Sequence, residues 1–215
     1  MARTRTHDDG CGIAHASDLF GQRWALLVVR ELLLGPKRFT DLRAGIPDIS
    51  PNVLGQRLRE LEGSGIVRRR RLAPPAAVQV YELTEWGHEL EPAVLALGRW
   101  ASGSPSFPAG ARMGADSLVL ALKSTFQPEK ADGLDARYEL RLGKEDVPFR
   151  IEVSGGRFRA ERGEVDNPDA TISADPNAIA GVVFGGNRLG KAVEAGDVAI
   201  DGSRRAVNAL FRALT

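Results

Sequence analysis

The sequence predicts an α+β protein of two domains, an N-terminal winged helix-turn-helix unit followed by a second α+β domain. Three observations carry that prediction. Two short apolar-patterned segments with helix caps and a tight break precede a basic hairpin-like stretch, "IVRRRRLAPPAAVQVYEL". A seam rich in Gly, Pro and Ser, "SGSPSFPAGARMGAD", separates the halves. Beyond it, alternating strand-like runs give way to helical ones, the order of an α+β domain. The expected boundaries are residues 1–101, a linker over 102–115, and residues 116–215. A chain of 215 residues suits two domains of roughly 100 residues each.

Taken in order, residues 16–34 carry Leu19, Phe20, Trp24, Leu27, Val28 and Leu32 at helical spacing, with Ser17 or Asp18 as N-cap. Gly35-Pro36 ends that helix. "FTDLRAGI" predicts a short second helix, with Phe39, Leu42 and Ile46 inward and Pro47-Asp48 as its break. The third begins with Ser50 as N-cap and Pro51 at its first position, buries Val53, Leu54, Leu58 and Leu61, and stops at Gly63 or Gly65. "IVRRRRL" and "VQVYEL" read as a hairpin with a Pro-containing loop. A last helix over 85–101, capped by Thr84, aligns Leu90, Val94, Leu97 and Trp100.

Charge locates a candidate site. The whole chain carries a formal charge of only +1. Between positions 37 and 71, however, nine basic residues stand against four acidic ones, an excess of five. Such clustering in a neutral protein points to an anionic partner for that patch, and the pattern points to double-stranded DNA. A capped helix in the major groove can offer Asn or Gln to adenine and Arg to guanine, and hairpin arginines can neutralise phosphates. The DNA-facing set is read as Lys37, Arg38, Thr40, Ser50, Asn52, Gln56, Arg57, Arg59, Arg69 and Arg71. In a strand, alternate residues face opposite ways, so only Arg68 and Arg70, or Arg69 and Arg71, can point at DNA. The second pair is favoured, with the first on the solvent side or against Glu82 across the hairpin. The bland alternative, an ordinary amphipathic helix beside a solvated arginine face, stays open on pattern alone.

The stretch "GQRWALLVVRELLLGPKRFTDLRAGIPDISPNVLGQRLRELEGSGIVRRR" with "YELTEWGHEL" resembles the HxlR-type transcriptional regulators. The resemblance spans residues 11–101 and implies a homodimer paired through the first and last helices of the domain, on an inverted-repeat operator. Two positions depart from the family pattern. Cys11 is followed by Gly12 rather than Pro, and the wing-tip arginine is absent, which puts groove insertion by the tip in doubt. Some relatives sense oxidants through an N-terminal cysteine, but Asp8 and Asp9 favour reading Cys11 as a partly buried structural residue. His7, Cys11 and His15 fall four apart, yet a Gly-containing segment and the want of a fourth ligand argue against a metal site.

The second half contains no His and no Cys, and its acidic residues alternate with Arg as on a solvated sheet face. No nucleophile–base or paired-carboxylate arrangement can be named, so neither an enzyme nor a cofactor is expected. "GGNRLG" lacks the ending of a phosphate loop, and Lys144-Glu145-Asp146 reads as a hairpin turn. Asp169-Ala170-Thr171, Asp175-Pro176 and the segments 192–196 and 197–202 resemble the sterol carrier protein type 2 family. That resemblance implies a tunnel for a hydrophobic small molecule, here lined by Leu118, Leu122, Phe126, Phe149, Val183, Phe184, Leu210, Phe211 and Leu214. An effector in that tunnel would modulate the DNA-binding half. The rival reading is a carrier of lipid-like ligands that uses the winged helix only to dimerise. One cysteine precludes an internal disulfide, no apolar run can span a bilayer, and "MARTRTHDDG" lacks a signal peptide's apolar segment, so the expected location is the cytoplasm.

Overall fold

A computed structural model describes residues 8–73, 77–108, 110–143 and 148–215. The chain divides into two compact units, Met1–Val94 and Leu95–Thr215. The Lys144-Glu145-Asp146 turn, His7 and the hairpin-loop residues Pro74, Pro75 and Ala76 lie outside the described residues.

The first unit opens with α1 (Gly12–Phe20) and α2 (Ala25–Leu32), two helices where periodicity predicts one. The Gly21 N–H closes α1 on the Ser17 carbonyl at 2.7 Å, and Trp24 enters α2 at φ 80°, a left-handed turn that no helix can run through. Neither Ser17 nor Asp18 is a cap, since both lie inside α1. After Gly35-Pro36 comes α3 (Phe39–Gly45), where the Asp41 carboxylate accepts the Arg38 N–H at 3.2 Å. The next helix, α4 (Pro51–Gly63), starts as the sequence expects: Ser50 Oγ accepts the Val53 N–H at 3.3 Å and Pro51 fills the first turn. Leu54, Leu58 and Leu61 of α4 join Val28, Val29, Leu32 and Leu42 in the core.

The hairpin pairs β1 (Val67–Arg71) with β2 (Gln79–Leu83), setting Arg68 opposite Glu82 and Arg70 opposite Val80. Lys37 adds a bridge to Tyr81 through two backbone hydrogen bonds of 2.9 and 2.8 Å. Where one helix is expected over 85–101, the chain forms α5 (Glu85–His88) and α6 (Glu91–Ser102). Pro92 causes the break, because its ring would collide with the residue 88 carbonyl in a continuous helix. Thr84 does cap α5, accepting the Gly87 N–H at 3.0 Å.

The second unit contains α7 (Ala115–Thr125), β3 (Ala136–Leu142), β4 (Phe149–Ser154), β5 (Arg157–Arg162), β6 (Ala170–Ala174), α8 (Pro176–Val183), α9 (Leu189–Glu194), β7 (Val198–Gly202) and α10 (Arg204–Leu214). Its sheet runs β5-β4-β3-β6-β7, with β3 and β6 parallel and the other neighbours antiparallel. Phe149, Ile151 and Val153 turn inward from β4 while Arg150 points out, the alternation expected of a half-buried strand. Helix α9 has no counterpart in the sequence reading, which took "GGNRLG" as a loop.

Three polar contacts fix this layer. Arg162 grips Asp116 with two bonds of 3.1 and 2.5 Å and lies 4.7 Å over the Phe149 ring, tying α7 to β5. The buried Tyr138 hydroxyl donates to the Ala206 carbonyl at 2.8 Å, joining β3 to α10. Burial and the Asp169 charge push its pKa upward, so it stays a donor. At Gly202, φ is 93° and a Cβ would sit 2.6 Å from the Asp169 carbonyl, so only glycine fits the turn into α10.

Gly45 is the equivalent constraint in the first unit, because a Cβ there would lie 2.1 Å from Glu31 Oε2. Gly45→Ala is expected to lower stability by about 1–3 kcal/mol, as overpacking of a tight contact does. Guanidinium unfolding followed by tryptophan emission measures it, since Trp24 and Trp86 report on this unit.

Candidate functional site

On α4 the inward stripe is Leu54, Arg57, Leu58 and Leu61, and the opposite stripe is Asn52, Gln56 and Arg59, all exposed. Spacings of three and four residues place each set on one helix face. Gln56 Nε2 donates to Glu60 Oε1 at 3.0 Å. Arg59 forms no ion pair among the described residues, and its guanidinium lies over Gly55, 3.5 Å from where a Cβ would stand. Arg38, Thr40 and Ser50 are exposed around the starts of α3 and α4.

Two expected DNA contacts are corrected by their surroundings. Arg57 is only 7% exposed, because it shares the helix face of the core leucines. Its guanidinium meets the Glu60 carboxylate as an ion pair, while its Nε finds no acceptor among the described residues. Lys37 is 5% exposed and gives its ammonium to Glu31 Oε2 at 2.5 Å. Its backbone bridge to Tyr81 aims the side chain inward. In this conformation neither residue presents a charge to a duplex.

The four arginines of β1 are all exposed but unequal. Arg68 and Arg70 fall on one side of the strand and both bond Glu82, at 2.7 and 2.8 Å. This is the cross-hairpin partnership that alternation anticipates. On the other side, Arg69 bonds Glu62 at 3.0 Å, which raises its pKa still further and neutralises its charge locally. Arg71 Nε reaches only the Ala77 carbonyl, at 3.4 Å. Of the nine basic residues between 37 and 71, Arg38, Arg43, Arg59 and Arg71 therefore have no ion-pair partner among the described residues. Arg43 was not singled out by the sequence, and the signal that could have found it is its exposure on a short charged helix.

Cys11 is exposed, not partly buried. It occupies the N-cap of α1, where the backbone N–H groups of Ile13 and Ala14 hold its thiol below the ordinary value. The Asp9 carboxylate accepts the Cys11 N–H at 3.0 Å. Among the described residues no group of three or more His, Cys, Asp or Glu side chains could hold a metal ion, and no helix is long and apolar enough to cross a membrane.

In the second unit the expected tunnel residues separate. Leu122, Leu210, Phe211 and Leu214 line an apolar void of about 10 Å³ between sheet and helices, with Tyr138, Leu140 and Phe158 opposite. That is room for about one water, and an apolar void of that size stays dry. Leu118 and Phe149 are fully buried beside it, Phe126 is half-buried with its ring 5.4 Å from Phe158, Val183 is half-buried and Phe184 is 46% exposed. The interior is filled by side chains rather than open as a tunnel. A second concavity of about 240 Å³, lined by Glu152, Ser154, Gly155, Arg157 and Arg159, is polar and lies at the β4–β5 turn.

A capped helix with an exposed polar stripe, set between a short helix and an arginine-bearing hairpin, defines a winged helix-turn-helix domain. The HxlR-like helix-turn-helix family model matches residues 19–106, and the alkyl sulfatase C-terminal family model matches residues 111–215. The chain is 39% identical over 95 residues to the HTH-type transcriptional regulator YvaP of Bacillus subtilis, covering 43% of this chain and 87% of that one. It is 40% identical over 86 residues to the HTH-type transcriptional regulator YodB of the same organism, covering 40% of this chain and 77% of that one. Among solved structures, reduced YodB aligns with 35% identity over 45% of this chain and 95% of its own, at a TM-score of 0.40. A double mutant of the sec-alkyl sulfatase PisA1 aligns with 17% identity over 47% of this chain and 16% of its own, at a TM-score of 0.43. Through its N-terminal half, this chain belongs to the HxlR-like helix-turn-helix family. The family matched over the C-terminal half is that of the alkyl sulfatase C-termini rather than the sterol carrier proteins whose motifs it resembles.

Proposed function

We propose that the chain is a sequence-specific DNA-binding transcriptional regulator that acts as a homodimer on an inverted-repeat operator and has no enzymatic activity. The observation that carries this reading is the exposed Asn52, Gln56 and Arg59 stripe of α4, chemically suited to base edges and held in a family of helix-turn-helix proteins. Arg38, Thr40, Ser50, Arg43 and Arg71 stand around it as phosphate-side groups. Dimerisation is supported by the two helices that bury nothing, α1 and α6. Ile13 on α1 is 81% exposed and Trp100 on α6 is 77% exposed, surfaces that a second copy would cover. The absence of His and Cys from residues 113–215 supports a non-catalytic role for the second unit.

We further propose that the second unit is sterol-carrier-like and takes a hydrophobic small molecule against Leu122, Leu210, Phe211 and Leu214. An apolar interior between sheet and helices supports it. Because the void holds about one water, binding requires α7 or α10 to move outward. The filled interior equally favours a second reading, in which this unit is a purely structural extension of the regulator.

DNase footprinting of the full chain on its own upstream region is expected to show a protected inverted repeat. Trp100→Glu is expected to yield a monomer by sedimentation and to weaken that protection at least tenfold; protection of no repeat there or at adjoining promoters would overturn the operator reading. Native mass spectrometry of freshly purified protein separates the two readings of the second unit. An adduct of small-molecule mass supports the ligand site, and a bare polypeptide mass that stays bare with added long-chain fatty acid rejects it.

A further inference from the structure

The polar stripe of α4 is biased by the residue one turn beyond Gln56. Glu60 Oε1 accepts from Gln56 Nε2 at 3.0 Å, and its other oxygen pairs with the Arg57 guanidinium. A carboxylate can only accept, so the Gln56 amide can face it only through its NH2. The amide's orientation is therefore decided by chemistry, with the carbonyl Oε1 left as the group free to meet a partner. Arg57 keeps Glu60 in place: its side chain is 9% exposed, anchored among the core leucines, whereas that of Glu60 is 42% exposed.

In the major groove, adenine N6 and cytosine N4 are amino donors, whereas guanine O6 and N7 and thymine O4 are acceptors. A free glutamine reads adenine with both ends of its amide, accepting from N6 and donating to N7. With its NH2 already engaged, Gln56 can only accept. It then rejects guanine and thymine by acceptor–acceptor repulsion and cannot tell adenine from cytosine. Exclusion of water on docking strengthens the Gln56–Glu60 bond.

Given that α4 reads the operator, we propose that Glu60 is a positioning residue, braced by Arg57, which makes Gln56 a one-sided acceptor selecting adenine or cytosine alike on the strand it faces. The test is selection of binding sites from a randomised duplex library by the full chain, by Gln56→Ala and by Glu60→Ala. Gln56→Ala identifies the position by relaxing it to all four bases. At that position the unaltered chain should enrich adenine and cytosine within about threefold of each other and deplete guanine and thymine. Glu60→Ala frees the amide for bidentate contact and should narrow the preference to adenine by about tenfold or more.

Loss of the carboxylate leaves Arg57 buried without its partner, so Arg57→Met combined with Glu60→Ala supplies a charge-free second variant with the same expected narrowing. Selection of adenine alone by the unaltered chain overturns the proposal, as does an unchanged preference in both Glu60 variants or no position relaxed in Gln56→Ala. Enrichment of no sequence at all by the unaltered chain would instead overturn the operator reading of α4, and this proposal with it.

Discussion

The N-terminal unit depends on one buried carboxylate. Glu31, 2% exposed at the end of α2, accepts from Lys37 at 2.5 Å and from Arg30 at 2.7 Å, and Arg30 also reaches the Gly45 carbonyl at 3.2 Å. One cluster thereby joins α2, the last residue of α3, and the segment that bridges to Tyr81 in β2. The orientation of helix pair and wing follows from it. Removing one member of such a pair leaves an uncompensated buried charge and costs about 3–5 kcal/mol. The same device recurs toward the surface: Glu60 meets Arg57, Glu62 meets Arg69, and Glu82 meets both Arg68 and Arg70. A region that reads as strongly basic in sequence is largely neutralised inside its own fold.

Much of the architecture could be read from local chemistry. Ser50-Pro51, Thr84 and Asp175-Pro176 announce helix starts because a side-chain oxygen and a missing N–H each satisfy a helix end. The alternation of Phe149, Ile151 and Val153 marks its strand, and strand geometry alone anticipated that Arg68 and Arg70 would share Glu82. What stayed hidden depends on contacts distant in sequence. The burial of Lys37 requires Glu31 and a bridge to Tyr81, which charge patterning does not reveal. Arg57 sits at an inward helical position, and its charge outweighed that spacing in the reading of the sequence. The left-handed Trp24 that splits α1 from α2 leaves no compositional mark, whereas Pro92 between α5 and α6 was a visible breaker read past.

The C-terminal unit teaches a related lesson. Helical periodicity identified Leu122, Leu210, Phe211 and Leu214 as inward-facing, and they are. Periodicity does not report how far apart two packed layers stand, and here they close to a void of about 10 Å³. Asp169 shows why short motifs resemble ligand signatures while having structural work: its carboxylate accepts the Arg137 N–H at 2.8 Å and its carbonyl accepts the Ser203 N–H at 2.8 Å. Asp175 likewise caps α8, bonding the backbone and side chain of Asn177, contacts that lower its pKa. These residues hold strand and helix ends together whether or not a ligand ever enters.

The central claim, that internal carboxylates neutralise most of the basic cluster and leave a sparse set of cations for DNA, is tested most directly by the salt dependence of operator affinity. Each phosphate neutralised contributes about −0.9 to the slope of log K against log salt. With Arg38, Arg43, Arg59 and Arg71 available in each of two copies, the slope should be no steeper than about −7. A slope near −16, the value if all nine basic residues between 37 and 71 released counterions in both copies, would contradict the account.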